Sequence, residues 1–110
     1  EIHLPFTATL TIHFPNQAKQ VIMNAASPMT ARSTRLFAPI CRNYDQDLPI
    51  EDAYEYNLKI FEEDRLIVET QKPEYLPLDL SIEAHFPAYR SSSMYRRLLR
   101  KIGFSPLFAA

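Results

Sequence analysis

The sequence predicts an α+β domain, an antiparallel β-meander packed on a long C-terminal helix. Two observations predict it. Apolar residues recur with a period of two in the first part of the chain, with short connections between the runs. Near Pro49 the period changes to 3.6 and holds for more than twenty residues.

The stretch Phe6 to Phe14 alternates Phe6, Ala8, Leu10, Ile12 and Phe14 with Thr7, Thr9, Thr11 and His13, the pattern of a half-buried strand. Pro15, Asn16 and Gln17 make a turn. A second strand spans 19–26 and is expected to stop at Ser27 and Pro28. The third spans 33–44, and Pro39 inside it marks an edge position or a bulge. Short connectors make the three an antiparallel meander.

A helix over 49–72 follows. Pro49 suits its first turn, Glu51 and Asp52 complement the dipole there, and Lys72 with Pro73 ends it. These 24 residues would span about 36 Å at 1.5 Å each, and a helix of that length needs a large partner surface. Residues 73–91, interrupted by Pro73, Pro77 and Pro87, read as an extended segment crossing the surface. A short helix over 92–102 begins at Ser92 or Ser93 as a cap and stops at Gly103. The apolar tail after it stays unassigned.

Composition narrows the function classes. The chain has 110 residues, 46% apolar and 23% charged, as in ordinary folded domains. A net charge of −1 gives no reason to expect nucleic acid as a partner. No apolar run approaches the ~20 residues of a membrane span. Cys41 stands alone, which excludes a disulfide framework or a cysteine cluster built from this chain and fits a reducing, cytoplasmic setting. Gly103 is the single glycine, so glycine-rich phosphate loops are excluded. The chain opens at Glu1 and runs almost at once into a strand, as a segment of something longer would.

On the long helix, Asn57, Asp64 and Gln71 are spaced by seven and form one row. They fall inside the arc of Ala53, Tyr54, Leu58, Ile60, Phe61, Ile67 and Val68. A carboxylate in such a seam is costly unless it is paired, hydrogen-bonded or bound to metal. An ion pair from Arg32, Arg35 or Arg42 would compensate Asp64, as would a proton shared with Asn57. A metal ion would do so too, since carboxylates on rigid helices serve non-heme iron sites.

The segments "FEEDRLIVETQKPEYLPLDLS" and "YRRLLRKIG", with "ASPMTARSTRLFAPICRNYD" upstream, resemble the C-terminal end of Rieske-type non-heme iron oxygenases. The likeness is to the vanillate O-demethylase and aromatic-ring-hydroxylating branch. It implies a helix-grip, START-like fold. It further implies that Asp64 is the carboxylate of a 2-His-1-carboxylate triad on mononuclear iron(II), with Asn57, Phe61 and Gln71 as surrounding pocket groups. The Cys-x-His and Cys-x-x-His pairs of a [2Fe-2S] Rieske cluster do not occur here, nor does a His-x4-His pair. His3, His13 and His85 read as ordinary surface or strand histidines. The resemblance therefore implies an N-terminal part of the same catalytic chain carrying the cluster and two histidines. It also implies a ferredoxin or reductase as electron donor, a homotrimer, and an apolar, aromatic small-molecule substrate. This segment alone is then expected to be inactive.

Three other features carry lesser expectations. Tyr95, Leu98, Leu99 and Ile102 form one side of the last helix, with Arg96, Arg97, Arg100 and Lys101 largely on the other. Phe6, Phe14, Phe37, Tyr44, Tyr54 and Phe61 are core or pocket aromatics. Cys41 reads as a buried small residue. The competing reading of the whole is a non-catalytic helix-grip module that binds an apolar ligand.

Overall fold

The computed structural model describes residues 1–104. The chain divides into two compact units, one of Glu1–Asp47 and one from Leu48 onward. The first is a five-stranded antiparallel sheet and the second is helical, as the α+β reading requires.

The sheet contains β1 (Ile2–His3), β2 (Thr7–His13), β3 (Lys19–Thr30), β4 (Ser33–Phe37) and β5 (Ile40–Arg42). β3 is its centre, with β2 along one edge and β4 and β5 along the other. β4 and β5 keep one register against β3, from Ala25 opposite Phe37 to Gln20 opposite Arg42. They are the single expected strand, broken at Ala38–Pro39, where Pro39 still accepts a bond from the Met23 amide at 3.1 Å. Proline has no N–H for a ladder, which confines it to such an edge.

β3 runs four residues past the expected stop, because Pro28 is harmless where it lies. The Ala26 amide donates to Phe6 on the β2 side, and residue 28 turns its nitrogen to the same side, beyond Thr7, the first residue of β2. A missing donor costs nothing there, and the ladder to β4 continues to Thr30 through a bulge. The Pro15–Gln17 turn is a short 3-10 segment with Asn16 and Gln17 at positive φ.

Cross-strand register sorts the side chains into two faces. One holds Leu10, Ile22 and Ile40 in one row and Ile12, Gln20 and Arg42 in the next. The other holds Thr9, Thr11, Val21, Met23 and Cys41. Cys41 is exposed, not buried as expected. On β5 it points away from half-buried Ile40 and Arg42, a consequence of the period of two.

In the helical unit, α1 spans Ile50–Val68 and α2 spans Arg90–Lys101. α1 has 19 residues, about 28 Å, and is shorter than expected. Its last turn tightens: the Thr70 and Gln71 amides donate to Ile67 and Val68, and Thr70 Oγ1 donates to the Ile67 carbonyl at 2.7 Å. Lys72, which precedes Pro73, is steered away from helical angles.

The segment after α1 does more than cross a surface. Pro77 and Leu78 are buried, and Leu78 and Leu99 form the buried apolar core of the described residues. α2 starts two residues before the expected serine caps, continuing a 3-10 turn over Pro87–Tyr89 without a side-chain cap. It ends as expected at Gly103, at φ 102°. Phe104 N–H donates to the Leu99 carbonyl and Gly103 N–H to that of Arg100, the paired bonds of a left-handed helix stop.

Candidate functional site

α1 brings three of the four expected site residues onto one helical face. Ala53, Asn57 and Phe61 are its half-buried residues, spaced by four and therefore stacked on one side. Asp64 continues that row but is exposed. The expected apolar seam is open around it, since Ile67 and Val68 are more than 60% exposed. Gln71 lies beyond the helix, in the turn, where its amide Nε2 donates to the Ile67 carbonyl at 3.3 Å. The row of three therefore reduces to Asn57 and Asp64.

Within the helical unit no described neighbour compensates Asp64. The Asn57 amide Nδ2 donates to the Ala53 carbonyl at 2.7 Å. Arg65, adjacent in sequence, is taken by Glu62 and, at 2.8 Å, by Glu69. Hydrogen bonding to Arg65 holds the Glu62 carboxyl below its usual range, and the same bonds raise the Arg65 guanidinium above its own. Among the described residues the Asp64 carboxylate has neither a hydrogen bond nor an ion pair.

Asp64 therefore offers a cation a carboxylate unclaimed among the described residues, as Glu51, Asp52, Glu55 and Glu63 of the same helix also do. That fits one position of a three-ligand iron site. Among the described residues no group of three or more His, Cys, Asp or Glu side chains could hold a metal by itself. His3 Nε2 lies 3.2 Å from Thr9 Oγ1 and His85 Nε2 3.0 Å from the Leu80 carbonyl oxygen, both exposed.

The sheet holds polar groups that the sequence reading passed over. On the face of Leu10, Ile22 and Ile40, the Tyr44 hydroxyl donates to Gln20 Oε1 at 2.6 Å. Phe14 meets the Tyr44 ring edge-on at 5.5 Å. Asn24, on the same face opposite Ala8, has a buried Oδ1 without a donor among the described residues. The signal was available: Gln20 and Asn24 share the parity of Ile22. A shallow open cleft at this end of the sheet is lined by Phe14, Asn16, Gln17, Asn43, Tyr44 and Asp45 among others.

The second unit contains a further missed pair. Arg96, expected on the wet side of its helix, is buried, and its Nη1 donates to Glu83 Oε2 at 2.5 Å. Desolvation raises the nearby Tyr95 hydroxyl above its usual range.

The family model for the vanillate O-demethylase oxygenase C-terminal domain matches residues 1–103. The chain belongs to that family. No curated protein and no solved structure matches it. Among the described residues no helix is long and apolar enough to cross a membrane.

Proposed function

We propose that this chain is the C-terminal part of the catalytic domain of a Rieske-type oxygenase. The whole enzyme would hydroxylate or O-demethylate an apolar, aromatic substrate with dioxygen. The observation that carries the reading is the family match across residues 1–103. The Asp64 carboxylate, which the resemblance makes the iron ligand, supports it by having no partner among the described residues.

In this reading Asp64 holds mononuclear iron(II) through its carboxylate, beside two histidines from an N-terminal part of the same chain. The iron, when bound, supplies dioxygen activation. An uncompensated carboxylate suits the task, because no protein cation has to be displaced before a metal binds. Asn57 and Phe61 sit about two turns and one turn before Asp64, respectively, on the same face. The hydrogen bond from Asn57 to the Ala53 carbonyl fixes its amide, so it orients rather than ligates. Phe61 offers an apolar wall to a ring-bearing substrate. Gln71 contributes from the turn after the helix.

The N-terminal part would carry the [2Fe-2S] Rieske cluster. Electrons would come from a ferredoxin or reductase, and the enzyme would work in the cytoplasm as a homotrimer. Turnover tests this reading. Full-length protein supplied with iron(II), reductant and dioxygen should release formaldehyde from methoxylated aromatic acids, or hydroxylate related rings. Absence of both products and of oxygen uptake across such a panel contradicts it.

A further inference from the structure

The chain as a whole is balanced, with 12 Lys and Arg against 13 Asp and Glu. The stretch Arg90–Lys101 is not. It contains Arg90, Arg96, Arg97, Arg100 and Lys101 and no acidic residue. Arg96 is buried against Glu83, and the other four are exposed.

Their placement on α2 is ordered. At about 100° per residue, Arg90, Met94, Arg97 and Lys101 fall within roughly 60° of one another. Arg100 flanks them, and buried Leu99 lies opposite. Among the described residues Arg90, Arg97 and Lys101 have no acidic partner, whereas Arg65, Lys72 and Arg96 are paired. Arg100 has Asp79 nearby. The helix dipole accounts for Arg100 and Lys101 in the last turn but works against Arg90 in the first. Met94 is 48% exposed in the middle of the stripe. Phe86 and Tyr89, both exposed, lie with ring centroids 5.8 Å apart before the N-terminal end. Arginine, methionine and aromatic side chains together are the composition of a protein interface, and unpaired like charges steer a partner of opposite sign.

We propose that the outer face of α2 docks a protein with an acidic surface, namely the iron–sulfur electron donor that the oxygenase reading requires. The inference rests on that reading. The stripe would act mainly on encounter, through a field that salt screens.

The test uses the full-length enzyme carrying Arg90→Glu, Arg97→Glu and Lys101→Glu together, with Arg97→Gln alone as a milder variant. Turnover is followed against donor concentration at several ionic strengths, and product formation is followed separately in a single turnover of chemically reduced enzyme. The triple variant should raise the KM for the donor about tenfold or more and flatten its salt dependence. Arg97→Gln should fall between it and the unaltered enzyme. Product from chemically reduced enzyme should be unchanged in both. Donor KM and salt dependence equal to those of the unaltered enzyme would overturn the docking surface while leaving the oxygenase reading intact. A loss of binding to phosphatidylserine vesicles with donor KM unchanged would also overturn it, assigning the stripe to a membrane. If the unaltered, chemically reduced enzyme forms no product, the oxygenase reading fails first and the docking proposal falls with it.

Discussion

Arg96 and Glu83, thirteen residues apart, form a salt bridge at 2.5 Å in which the guanidinium is 8% exposed and the carboxylate 30%. It ties the irregular segment after α1 to the middle of α2, next to the buried Leu99. Arg96 Nε is buried without an acceptor among the described residues, so Glu83 is its main compensation.

Removing Glu83 should therefore cost more than an exposed ion pair would. Glu83→Gln should destabilise the folded protein by about 2 kcal/mol, below the full value for a deeply buried pair because Glu83 is partly wet. Adding Arg96→Met should restore much of the loss, since no uncompensated charge then remains. Chemical denaturation of the single and double variants measures both. Equal stability of Glu83→Gln and the unaltered protein would remove the bridge from the account.

Gly103 is required by conformation and not by space. It has φ of 102°, and a Cβ there would meet nothing within 4 Å. Gly103→Ala should lower stability by about 1 kcal/mol through backbone strain. Gly103→Asn should cost less, because asparagine tolerates the left-handed region better. Thermal melts of the two variants rank them.

Asp79 gives a prediction with a sign in pH. Its carboxylate accepts the Ser81 N–H at 2.9 Å and the Ser81 hydroxyl at 2.8 Å. These bonds hold its carboxyl below the usual value, the backbone bond foremost. The stabilisation is therefore present above the carboxyl's unfolded value and is lost as pH falls through the lower folded one. Ser81→Ala should move the Asp79 midpoint upward, since the hydroxyl bond disappears and the backbone bond remains. NMR titration of the side chain reads this, and an unmoved midpoint contradicts it.

Much of the fold was legible in the sequence because its signals are local. Alternation of apolar residues located β2, an apolar run located most of β3, and the 3.6 period located α1. Gly103 marked the end of α2. What escaped depends on neighbours along no single stretch. Pro28 ends a strand only if its nitrogen faces a partner, and the length of β2 decides that. The burial of Arg96 depends on Glu83, which sits in a segment without period. The exposure of Cys41 follows from the alternation along β5, which turns it away from half-buried Ile40 and Arg42. At the candidate site, spacing alone placed Asp64 in line with Asn57 and Phe61. It could not foresee that α1 would end before Gln71, or that the face around Asp64 would stay open.

The central claim is that the carboxylate of Asp64 is an iron ligand, and metal content tests it most directly. Full-length Asp64→Ala, purified and loaded with iron(II) alongside the unaltered enzyme, should lose mononuclear iron while the visible absorbance of its [2Fe-2S] cluster stays the same. Full mononuclear iron occupancy in the variant would contradict the account.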